Sequence, residues 1–116
     1  MPDLAVKVRV RVRPFNEREK NIQSRLAVRM SDDGKSTTLT DLDDTQQERQ
    51  FTFDHSFWSH DQFVEDDNGI CIPDPNDPKK KYASQQLVYD EIGVQVLNNA
   101  WEGYHCCLFA YGEVLN

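Results

Sequence analysis

Residues 84–112, SQQLVYDEIGVQVLNNAWEGYHCCLFAYG, decide the fold class. Ser84 carries the side chain of a helix N-cap. Behind it Val88, Ile92, Val96 and Ala100 recur every four positions with Leu97 and Trp101 flanking them, which predicts an amphipathic helix over 85–102. Gly103 is placed to end that helix. His105 to Tyr111 is then a short, almost unbroken apolar run, the mark of a strand covered on both faces, and Gly112 closes it with a turn residue. Helix, tight turn, buried strand and glycine make half of an α/β crossover unit.

At the other end, Leu4, Val6, Val8, Val10 and Val12 alternate with Ala5, Lys7, Arg9, Arg11 and Arg13. Period two with β-branched residues predicts a strand with one solvated face. Pro14 removes a backbone donor and stops it. Phe15 to Ser24 reads as turn or short helix. Leu26 to Met30 and Thr37 to Leu42 are weaker strand candidates, separated by the turn signal Ser31-Asp32-Asp33-Gly34. Asp41 to Gln50 is a polar connection, alternation returns at Phe51 to Asp54, and Phe57 and Trp58 extend an aromatic cluster suited to a core. His60 to Lys81 is acidic and proline-bearing, with too few apolar residues to offset an ordering entropy of roughly 1–2 kcal/mol per residue. It is expected to be a surface loop, disordered over 61–82. No internal repeat is visible.

The chain has 116 residues, enough for one small domain with a thin margin of stability. Its formal net charge of −7 argues against a nucleic-acid reader and against docking on an anionic membrane. No apolar run approaches the roughly 20 residues of a membrane span, and Met1-Pro2-Asp3 does not open a secretory signal. A soluble intracellular protein is expected. Cys71, Cys106 and Cys107 do not form a disulfide framework, and the adjacent pair is expected to pack as small apolar residues in the last strand.

Three passages, in this order and spacing, resemble the kinesin motor family. They are Val8 to Glu19 with its Arg11-Val12-Arg13-Pro14 turn, Phe51 to His60 with the pattern F-x-F-D-x-x-F, and Val88 through Glu102-Gly103-Tyr104 to Gly112. The resemblance covers nearly the whole chain except 62–81 and the last four residues. Trp58-Ser59-His60 and Tyr82-Ala83-Ser84-Gln85 look most like the cargo-transport kinesins that carry a forkhead-associated domain.

The resemblance implies the first part of a P-loop NTPase fold, a mixed, mostly parallel sheet flanked by helices, incomplete here. It assigns 1–112 to a partial motor domain. It also implies that the first strand and the strand ending at Gly112 are separated by a strand from elsewhere in the domain. Arg11, Arg13 and Pro14 would lie against the adenine ring of ATP, since guanidinium groups stack on flat rings and proline offers a rigid apolar face. The alternative is that the alternating arginines simply solvate one face of the strand.

Gly112 corresponds to the first glycine of the phosphate loop G-x-x-x-x-G-K-[ST], whose backbone N–H groups, lysine and hydroxyl meet the phosphates and Mg²⁺. After Gly112 come Glu113-Val114-Leu115-Asn116, without a second glycine, a lysine, or a Ser or Thr. The stretch is therefore expected to bind ATP and Mg²⁺ poorly and not to hydrolyse ATP by itself. Residues 113–116 are expected to be an aberrant tail, from intron read-through or a misjoined gene model, because a glycine codon GGT followed by GAG resembles a splice donor. In the family, ATP hydrolysis is coupled to movement on microtubules in the cytoplasm. The alternative is a truncated isoform acting as a small non-enzymatic interaction module through an exposed sheet edge.

Other signals point to bland roles. His55, His60 and His105 lack the repeated short spacings of a zinc site. The acidic loop lacks the order of an EF-hand. Lys79-Lys80-Lys81 reads as a solvated charge run rather than a contact for acidic tubulin.

Overall fold

The computed structural model describes residues 6–43 and 47–112. The elements are β1 (Arg9–Val12), α1 (Glu17–Asn21), β2 (Val28–Met30), β3 (Ser36–Thr40), β4 (Glu48–Thr52), β5 (His55–Trp58), β6 (Phe63–Glu65) and β7 (Cys71–Pro73). A continuous helical run follows, made of α2 (Gln85–Val88), a π-helical turn (Tyr89–Gly93) and α3 (Val94–Trp101). Leu4 and Ala5 of the expected first strand, and the expected tail 113–116, lie outside the described residues.

Of the strand expected from Leu4 to Arg13, only Arg9–Val12 forms, as a parallel pair with β5, Arg9 opposite His55 and Val12 opposite Trp58, while Val6 and Val8 lie outside it and are exposed. This is the one parallel pairing among the described strands. The middle of the chain folds as an antiparallel sheet in the order β2-β3-β4, with Val28 opposite Leu39 and Thr37 opposite Phe51. Gly34 joins β2 to β3 at φ +72°, a conformation that a side chain resists. The two sheets are stitched at Ser56, whose N–H donates to the Gly34 carbonyl (2.6 Å). Its hydroxyl shares a buried hydrogen bond with Thr37 Oγ1 (2.9 Å).

The core gathers where β5 ends. Phe57, Trp58, Tyr82 and Ala83 are the buried apolar residues among those described. Ala83 N–H donates to the Trp58 carbonyl (2.6 Å), and Ser59 Oγ donates to the Ala83 carbonyl (2.6 Å). The expected aromatic anchor at Phe57 and Trp58 is thus the centre of the core.

Two expectations are corrected. The segment 60–81 contains the hairpin β6–β7, with Phe63 opposite Pro73. Its aspartates close its turns: Asp66 Oδ1 accepts from the N–H groups of Asn68 and Ile70 (both 2.9 Å), and Asp77 accepts from Lys79 and Lys81. Side-chain caps of this kind hold a turn without apolar burial. The lysines that follow are all exposed, as expected of a solvated charge run, and each still has a contact. Lys81 Nζ lies 4.1 Å above the Trp58 ring, Lys80 Nζ donates to the Pro75 carbonyl (3.0 Å), and Lys79 pairs with Asp32 at 3.5 Å.

The second correction is at the C-terminal end. Residues 105–111 form no strand, and all of them are exposed, Cys106 and Cys107 included. An apolar run becomes a buried strand only when neighbours on both sides pair with it, and no described strand does so.

The helix itself forms as the sequence predicts. Ser84 Oγ accepts from Leu87 N–H (3.1 Å). At the other end Tyr104 N–H reaches the Asn99 carbonyl and Gly103 N–H the Ala100 carbonyl (both 3.0 Å), with Gly103 at φ +92°. That pair of bonds is the Schellman ending. Within the π turn the Tyr89 ring lies over Gly93, where a Cβ would sit 2.5 Å from Tyr89 Cδ1. None of the helical residues is fully buried. The Cα radius of gyration is 16.4 Å, against about 13 Å for a folded chain of this length, so the helix and the segment after it are not drawn onto the core.

Candidate functional site

The site is the corner where β1 runs out. Pro14 cannot continue the ladder, so the last pairing contact is Ser59 N–H to the Val12 carbonyl (3.0 Å). One residue on, His60 Nδ1–H donates to the Arg13 carbonyl (3.1 Å), and the His60 ring meets Phe15 edge-on at 4.7 Å between centroids. The chain then turns into α1, capped by Asn16, whose Oδ1 accepts from Glu19 N–H (2.8 Å).

Each arginine of the corner is fastened by a different partner. Arg11 Nε donates to Ser59 Oγ and its Nη1 to Gln85 Oε1, both at 2.9 Å. It therefore ties β1 to the end of β5 and to the start of the long helix. Arg13 forms a fork with Glu19, Nη1 to Oε1 at 2.7 Å and Nη2 to Oε2 at 3.1 Å, and Nη1 also reaches the Pro14 carbonyl (2.8 Å). The Arg13 hydrogen bonds hold the Glu19 carboxyl down at about 2, with help from the Asn16 N–H. The same pairing raises the pKa of Arg13.

Arg11, Arg13 and Pro14 are thus brought together, with Arg11 and Pro14 exposed and Arg13 half-buried. Gly112 is not brought to them. It sits exposed at φ +147° at the far end of residues 104–112, and no hydrogen bond among the described residues ties it to the corner. Sequence reasoning missed Glu19, Ser59, His60 and Gln85, the groups that hold the arginines. Asn16-x-x-Glu19 was readable as a capping box; the other three carry no local signal.

A guanidinium whose in-plane donors are taken by protein acceptors has its face left to offer a flat ring. Two guanidinium groups and a proline side by side have the chemistry that stacks on flat rings. Among the described residues no group of three or more His, Cys, Asp or Glu could hold a metal ion. Among the described residues no helix is long and apolar enough to cross a membrane.

Strands and a long helix arranged in this way make the chain a mixed α/β fragment. The family model for the kinesin motor domain matches residues 11–114, and the chain belongs to that family. Kinesin-like protein KIF28 of Rattus norvegicus is 44% identical over 109 residues, covering 94% of this chain and 10% of that protein. Kinesin-like protein KIF1A of Rattus norvegicus is 41% identical over 114 residues, covering 97% of this chain and 6% of that one. Among solved structures, residues 391–755 of KIF14 with ADP in complex with a microtubule align with a TM-score of 0.70 and 38% identity, over 94% of this chain and 25% of that chain. The chain therefore spans about a tenth of the KIF28 length and a quarter of the KIF14 motor.

Proposed function

We propose that these residues are the opening part of an ATP-dependent microtubule motor domain, in which Arg11, Arg13 and Pro14 form the base-side rim of the ATP pocket. Gly112 would begin the phosphate loop. The observation that carries this reading is the corner itself: two guanidinium groups locked by Ser59, Gln85 and Glu19 beside an exposed proline. Its support from outside is the family match and the likeness to KIF14, whose structure is in complex with a microtubule. Tubulin as partner and a cytoskeletal location belong to the same proposal, as does the forkhead-associated subclass. The two peptides behind that subclass reading, Trp58-Ser59-His60 and Tyr82-Ala83-Ser84-Gln85, pack on each other in the core.

By itself the 116-residue stretch carries a base rim without a triphosphate cradle. It should bind ATP no tighter than about millimolar, because most phosphate contacts that supply affinity are absent. Isothermal titration of the chain with Mg·ATP checks this, alongside a phosphate-release assay. Protein-dependent ATP cleavage by this chain with no partner present would sink the reading. A self-standing interaction module is disfavoured by Trp101, Phe109 and Tyr111, exposed to 89%, 81% and 95%, which a finished domain seldom leaves in water.

A further inference from the structure

Arg13, one residue past the end of β1, is not held by that strand through its side chain. Its guanidinium is gripped by Glu19, six residues on and in another element, through two parallel hydrogen bonds of 2.7 and 3.1 Å. Glu19 is also the N3 residue of the α1 capping box, where its Oε1 accepts from Asn16 N–H (2.9 Å). A capping glutamate needs one oxygen and ordinarily sits in water. Here the second oxygen is spent on Arg13, and the Glu19 side chain is only 10% exposed while that of Arg13 is 41% exposed. The carboxylate is thus the buried, rigid member of the pair and the guanidinium the member that faces outward.

A fork-to-fork contact fixes the plane of a guanidinium as well as its position, which a single hydrogen bond does not. We propose that Glu19 is the positioning residue for adenine recognition: clamped on the capped end of α1, it sets the plane of the Arg13 guanidinium so that its face meets the base. The inference rests on the reading of Arg13 as an adenine contact. Glu19 touches no nucleotide; it acts through Arg13. The capping box makes the arrangement stiff, because rotating Glu19 away from Arg13 also strips the Asn16 N–H of its acceptor.

The test uses the complete motor polypeptide carrying these residues, with two substrates: ATP, and ribose 5′-triphosphate, which lacks the base. Glu19→Gln keeps the capping box, since glutamine also serves at N3, but removes the charge and the second acceptor for Arg13. It should raise KM for ATP roughly threefold to thirtyfold, the span of a cation–π contact, with kcat unchanged. KM for ribose 5′-triphosphate should stay where it is. Glu19→Ala should give the larger end of that range; if it does not fold, Glu19→Gln carries the test alone. Arg13→Ala is the companion variant and should shift the same ratio. If it does while Glu19→Gln leaves the ratio untouched, the positioning role is overturned and the adenine contact stands. If neither variant moves the ratio, both fall. A rise in KM by the same factor for both substrates would mark a general folding defect and overturn the proposal as well.

Discussion

The two tryptophans describe the two ends of the molecule. Trp58 is 5% exposed; its indole N–H donates to Asp61 (2.6 Å), its ring lies under Lys81, and its carbonyl receives the Ala83 N–H. Trp101 ends a well-capped helix and is 89% exposed. Both lie in elements with sound local signals. What separates them is non-local: β5 has a parallel partner and a returning segment, whereas the helix has its caps and its own hydrogen bonds. Local chemistry makes an element, and burial requires something for its apolar face to meet.

That contrast can be broken or sharpened by experiment. Trp58→Ala should cost about 3–5 kcal/mol, enough to remove most of the folded population, read as loss of the denaturant transition. Acid should next loosen the corner. The folded Glu19 carboxyl sits at about 2, below its ordinary value, so its stabilisation is complete above about pH 4.5 and fades as pH falls toward 2. Denaturation midpoints of the parent chain and Glu19→Gln should therefore converge between pH 5 and pH 2; a constant gap would rule this out. Ser84→Ala, which removes the cap on Leu87 N–H, should weaken the helix by about 1 kcal/mol, seen as reduced far-ultraviolet ellipticity. Trp101→Ala should change stability of this chain by less than about 0.5 kcal/mol. A large loss there would mean the helix packs in solution on a surface it does not touch here.

Much of this was legible in residue order. Pro14 as a stop, the Phe57–Trp58 anchor, the Ser84 cap and the Gly103 ending all come from short-range chemistry and each is found, while the first strand forms over only Arg9–Val12 of its expected length. The 61–82 segment was misread because composition counts apolar residues and not the positions of aspartates. Asp66, Asp74 and Asp77 each accept backbone N–H groups two residues on. The strand expected at 105–111 was misread for the opposite reason: apolar character states what a segment would bury and not whether neighbours are there to cover it. The arginine corner was half legible. The arginines and proline stand out in sequence, but Ser59 and Gln85 lie 48 and 74 positions from Arg11, and only folding brings them together.

The excursion between Ser59 and Ala83 leaves and re-enters the core through one doorway, closed by the Ser59 hydroxyl on the Ala83 carbonyl and by the Ala83 amide on the Trp58 carbonyl. Because that latch lies below the hairpin, the loop is free to grow or shrink at its tip near Asn68-Gly69 without dragging on the strands beneath. The same tip is a natural place to graft a fluorescent reporter or an affinity handle, at the cost of little more than loop-closure entropy.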